Sequence, residues 1–128
     1  MRGCIAEHLQ QFRKGDRDGA FFGLVELDHG ILPELMAAFR SERDSRVLVF
    51  LVETIWQHRQ PSAVSFLGEA LRDSVPEVWR QAIDGLVTLA SPEALEVLRA
   101  ARSSRLDSDG FHRLLDEAID QSESEMRR

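Results

Sequence analysis

The chain has 128 residues, 43% of them apolar and 30% charged, which suits one folded domain with a sizeable core and excludes a disordered chain. Its formal net charge is −6, and its 16 Lys and Arg are dispersed along the chain against 22 acids, so no basic face is assembled for a nucleic-acid backbone. Cys4 is the single cysteine, which rules out an intrachain disulfide and a thiolate cluster within one chain and makes a reducing cytoplasm the expected compartment.

At the N-terminus, Glu7 and His8 interrupt the chain before the apolar core of a signal peptide can form. Met1, Cys4, Ile5 and His8 instead recur at helical spacing and predict a lone first helix. Next come Ala20, Phe21, Leu24 and Val25, then the breaker Asp28-His29-Gly30, then Leu32, Leu35, Met36 and Phe39. Each set lies on one stripe of an α-helix, so the segment reads as a helical hairpin.

Shifting the chain by 31 residues repeats this hairpin twice. Leu51, Val52, Ile55 and Trp56 follow in the second copy, and Ala82, Ile83, Leu86 and Val87 in the third. For the second helices the matching sets are Ala63, Phe66, Leu67 and Ala70, then Ala94, Val97, Leu98 and Ala101. Pro61 falls on Pro92, and a proline at this place predicts the first turn of each second helix, with Ser91 as a cap. Residues 47–52 are apolar and rich in β-branched valine, yet they are in register with a first helix and far short of the ~20 residues that cross a bilayer.

With one inserted residue, Leu114, Leu115, Ala118 and Ile119 continue the first-helix pattern, predicting a last helix over residues 108–121. The acid pairs Asp16 with Asp18 and Asp107 with Asp109 suit caps and first turns of the helices that follow. Units that cannot bury their apolar stripe alone must stack on one another. The expected fold is all-α: a short right-handed α-solenoid of about eight helices in a single domain. Its divisions are a half-repeat over 1–14, repeats over 15–44, 45–74 and 75–105, a half-repeat over 106–121 and an acidic tail over 122–128.

The third unit carries Pro76-Glu77-Val78-Trp79-Arg80-Gln81-Ala82-Ile83-Asp84-Gly85-Leu86 and then Ser91-Pro92-Glu93-Ala94-Leu95 with Leu98. It resembles the short HEAT-like repeat of phycobilin lyases and many bacterial scaffold proteins, with Val78, Ala82, Leu86, Leu89, Pro92, Ala94 and Leu98 at the core positions. The resemblance covers residues 16–121 and implies a bacterial scaffold, not an activity. The iron-dependent hydroxylases of this type carry His-Glu dipeptides as ligands, and this chain has none.

His8, His29, His58 and His112 are too dispersed for a local metal spacing. His29 and His58 both fall at ends of first helices and are expected to approach one another at one edge, beside Asp28, as two loop histidines. His8 lies on an apolar face and reads as a partly buried core histidine. There is no phosphate loop, nucleophile elbow or carboxylate pair of catalytic kind. No catalytic residue, cofactor or metal is expected.

Two surfaces are candidates for protein binding. The first is an outer patch around Trp79, at a position usually polar in the resembling repeat, with Leu48 as its counterpart one unit earlier and Val49 and Phe50 beside it; an exposed Trp there would favour self-association. The second is the concave face, where Glu34, Ser65, Glu69, Arg72, Glu96 and Arg99 point outward and make a slightly acidic groove that fits a basic peptide. The expected function is a scaffold or regulatory adaptor. The alternatives are an immunity or antitoxin protein that covers a basic toxin, because residues 105–125 hold seven acids and two arginines, and a lyase-like or metal-dependent enzyme.

Overall fold

Helix signals are met at the predicted places in the computed structural model, which describes residues 2–103 and 110–127, with side chains from Ile5 onward. Among the described residues there are eight α-helices and no strand: α1 (Arg2–Arg13), α2 (Arg17–Val25), α3 (Leu32–Ser41), α4 (Ser45–Gln57), α5 (Ala63–Ala70), α6 (Pro76–Leu89), α7 (Pro92–Ala101) and α8 (Phe111–Met126). The carboxylate of Asp16 accepts from the Gly19 amide at 3.0 Å, and that of Asp44 from the Arg46 amide at 2.9 Å. The Ser91 hydroxyl accepts from the Ala94 amide at 3.1 Å. Caps of this kind contribute about 0.5–2 kcal/mol each by occupying amides that have no partner within their own helix. The expected caps Asp107 and Asp109 and the helix start at Ser108 lie outside the described residues, as do the side chains of Met1 and Cys4.

Pro92 opens α7 as its spacing predicts. Pro61 does not open α5. The carbonyls of Gln60 and Pro61 accept from the amides of Ala63 and Val64 at 3.0 and 3.1 Å, so one tight turn intervenes before the helix begins. At the ends of α4 and α6 the period is visible in the backbone. Arg59 and Ala90, one repeat apart, both take the left-handed conformation, with φ of 55° and 51°. This region is unfavourable for residues with a Cβ, and it ends each helix before its partner turns back.

The helices form two layers. One holds α2, α4, α6 and α8; the other holds α1, α3, α5 and α7, with α1 packed on α2, α3 on α4, α5 on α6 and α7 on α8. The matched columns Ala20, Leu51 and Ala82 and Leu24, Ile55 and Leu86 are wholly buried between the layers. Burying a Leu or Ile in this way contributes ~1.5–3 kcal/mol, so the apolar columns supply the main cohesion between units. α4 and α6 approach closely because Gly85 has no side chain and the Trp56 indole lies against its backbone, with Trp56 Nε1 donating to Gln81 Oε1 at 2.7 Å.

The last helix departs from its expected bounds. It runs to Met126, so residues 122–126 of the expected tail are helical, with Ser122 buried and Glu123 paired to Arg99. Its inward stripe is Phe111, Leu115, Ala118 and Ser122, while Leu114 and Ile119 are only partly covered. Phe111 sets this register by packing edge-on against Trp79, with ring centroids 5.0 Å apart.

Candidate functional site

That contact overturns the outer patch. Trp79 is 0% exposed, enclosed beneath α8, and Arg80 lies over its ring with the guanidinium carbon 5.3 Å from the centroid. Leu48 and Phe50 are buried as well, and Val49 is half-buried. Phe50 stacks on Phe12 at 4.4 Å, so α1 covers part of α4. The middle first helix is apolar almost all round because α2, α3, α5 and α6 enclose it. A buried Trp79 offers no surface for self-association in the folded chain.

Among the described residues Phe22 is an exposed aromatic, at 58%, and it lies outside the apolar columns of the repeat. One and two repeats later its column holds Glu53 and Asp84, so a phenylalanine in an acidic column was the available signal.

The second set of candidates does lie outward on the second-helix layer. Ser65, Glu69, Arg72, Glu96 and Arg99 are exposed on α5 and α7 or at the end of α5, and Glu34 is half-buried on α3. The acids there are largely matched. Arg40 donates through Nε and Nη2 to both oxygens of Glu69, at 2.9 and 2.8 Å, and this bidentate pair holds the Glu69 carboxyl below its usual range and raises Arg40. Arg99 joins Glu96 and Glu123, with its own pKa raised chiefly by the Glu123 bond. The face is thus a ladder of compensated charges rather than an acidic groove. The same holds on α8, where Asp116 pairs with Arg102 and Glu117 with Arg113. Exposed pairs of this sort contribute ~0–1 kcal/mol each, and they lower the attraction for a basic partner that the acid count implies.

Glu34 is different. It stands in the first turn of α3, where its charge suits the helix dipole, and among the described residues its Oε2 is buried with no hydrogen-bond partner. It borders a trough of about 530 Å³ between α1 and α3, whose walls are Ile5, Ala6, Leu9, Pro33, Ala37 and Ala38 with Ser41 at one end. An apolar trough with one uncompensated carboxylate can take an apolar ridge that carries a single cation. A smaller trough between α5 and α7, of about 420 Å³, has Ser65, Gly68, Glu69, Arg72, Val97 and Ala100 in its lining, which brings three of the remaining candidates together. Glu96 and Arg99 do not line it.

His29 and His58 are brought together as expected, and His8 is half-buried against the Gly23 backbone with Nδ1 3.2 Å from Gln11 Oε1. Among the described residues no group of three or more His, Cys, Asp or Glu side chains is placed to hold a metal ion, and no helix is long and apolar enough to cross a membrane.

Compared with known families, residues 32–109 match the model for HEAT repeats. No curated protein and no solved structure matches the chain.

Proposed function

The chain belongs to the HEAT-repeat family, and from that premise we propose that it is an adaptor that holds a protein partner on its second-helix layer, chiefly in the trough between α1 and α3. HEAT repeats generally mediate protein–protein interaction, and their regular stacking leaves extended grooves between helices of one layer. The observation that carries the choice of trough is Glu34, a carboxylate with a buried oxygen that has no hydrogen-bond partner among the described residues, set among apolar walls. Burying such an oxygen is costly unless a donor reaches it, and a partner's Lys or Arg would supply one. The partner that fits is an amphipathic helix with one basic residue among small and aliphatic ones. The compensated pairs Arg40–Glu69 and Arg99–Glu123 then serve as a rim that keeps α3, α5, α7 and α8 in register.

A photo-crosslinking residue placed at Ala37, in cells, tests this. The expected result is one dominant crosslinked protein that is lost when Glu34→Arg is added, with the helical signal of the purified variant unchanged. Recovery of the same protein in equal amount from the Glu34→Arg chain, or crosslinking that moves to a probe at Asp84 on the other layer, would reject the trough as the site.

A further inference from the structure

The two histidines at the edge of the first two hairpins form a defined pair. His29 opens the short turn before α3, and His58 follows the last residue of α4. Their Nδ1 atoms are 2.9 Å apart and their rings stand at 78°. His58 is only 4% exposed, and its Nε2 lies 3.1 Å from the Leu24 carbonyl at the end of α2. A carbonyl can only accept, so His58 Nε2 carries the proton. In neutral His58 the Nδ1 is then bare, and His29 Nδ1–H donates to it.

A metal-binding histidine is commonly held in this way, one ring nitrogen donating to a backbone carbonyl while the other presents its lone pair. The 2.9 Å separation is that of the hydrogen bond between the rings, and a turn of the exposed His29 ring opens it to admit an ion. Two imidazole nitrogens suit the late first-row ions, and affinity at such a site rises through Ni²⁺ to Cu²⁺ and falls again at Zn²⁺.

We propose that His29 and His58 form a two-histidine clip for a divalent ion of the copper or nickel type, which bridges the two Nδ1 atoms and ties the first hairpin to the second. On binding, the His29 proton moves from Nδ1 to the solvent-facing Nε2, so the neutral pair keeps both its ring protons and no proton is released. His29 is exposed and can turn to aim its lone pair, whereas His58 stays tethered to Leu24. The Asp28 carboxylate adds a favourable field but is committed to the Gly30 amide at 2.8 Å through Oδ1. Water fills the other coordination positions. The clip is peculiar to this pair of repeats, since one repeat on from His29 and His58 stand Gln60 and Leu89.

The test is calorimetric titration of tag-free wild-type chain with NiCl₂ in a non-coordinating buffer at pH 7.5, repeated with His29→Ala, and followed by the Cu²⁺ paramagnetic resonance spectrum. Because His29 is exposed, His29→Ala should fold, and its melting curve without metal checks that. The expected result is one equivalent of Ni²⁺ bound by the wild type, affinity at least tenfold weaker in His29→Ala, and a copper signal split by two nitrogens only in the wild type. Absence of binding to the wild type, equal affinity in His29→Ala, or tighter binding of Zn²⁺ than of Cu²⁺ and Ni²⁺ would overturn the clip.

Discussion

Replacing Gly85 with alanine should destabilise this protein, although alanine is the better helix former. On propensity alone the exchange within α6 would stabilise by ~1 kcal/mol. Against that, the new Cβ would lie 2.6 Å from Trp56 Cγ, 2.7 Å from Cδ1 and 3.0 Å from Cβ. Carbon pairs prefer about 3.5–4.0 Å, so α4 and α6 must separate by roughly 1 Å or the indole must leave its place. These are atoms at the root of the side chain, and a change of rotamer at its tip does not clear them. Moving the ring also endangers the bond from Nε1 to Gln81, and such bonds contribute ~0.5–1.5 kcal/mol. Overpacking costs ~1–3 kcal/mol, so after the propensity gain and the loss at Gln81 the net effect is a destabilisation of ~0.5–3.5 kcal/mol.

Urea denaturation followed by circular dichroism measures this, and the midpoint of Gly85→Ala should fall by about 1 M for a slope of ~1–3 kcal/mol/M. In a Trp56→Leu background the same exchange should become neutral or stabilising, because the clash and not the backbone is its cause. Gly68→Ala is the contrast. Its Cβ meets one Val97 methyl at 3.1 Å, which a small side-chain shift relieves. If Gly85→Ala matched or exceeded the wild type in stability, the close approach of α4 and α6 would be wrong.

Trp79→Ala should cost ~3–5 kcal/mol by emptying the space beneath Phe111, with no change of molecular mass in light scattering; a well-folded variant with a smaller mass would restore the self-association patch. Ala90→Gly should raise the unfolding free energy by ~0.5–1 kcal/mol, since glycine takes the left-handed conformation without penalty and the gain is offset only by unfolded-chain entropy; a lower melting temperature would count against strain at that turn. Asp84 is partly exposed but lines one pocket with Ile83, Val87, Leu114 and Ala118, and desolvation raises its pKa. A carboxyl whose folded pKa is raised costs stability when ionised, so Asp84→Asn should stabilise at pH 7 by a few tenths of a kcal/mol after solvent screening. The advantage should shrink as pH falls through the raised folded value and vanish below the ordinary 3.8; a difference constant from pH 7 to pH 3 in denaturation midpoints would refute it.

The 31-residue period was legible because it is a property of each helix by itself. Ala20, Leu51 and Ala82 occupy the same phase of three helices, and that phase is buried wherever a partner helix exists. The approach of His29 to His58 was legible for the same reason, since both end first helices of adjacent units. Their spacing of 29 residues recurs in Arg13–Glu42 and Arg40–Glu69, which makes it a signature of neighbouring units in contact.

What only the tertiary structure decided is the fate of the remaining helix faces. Periodicity says which stripe of a helix is apolar, but exposure depends on every neighbour that covers the helix, including elements far along the chain. Trp79 stands in the same column as Arg17 and Leu48, and the packing of Phe111 from α8 helps to make it core. Likewise, Glu69 and Glu123 count as free negative charge in the sequence and are neutralised in the fold, because arginines on adjacent helices reach them. Glu34 remains uncompensated among the described residues because mostly apolar side chains line the trough at its side. A repeat unit thus carries its own core in its sequence, while its surface is completed by the units stacked against it.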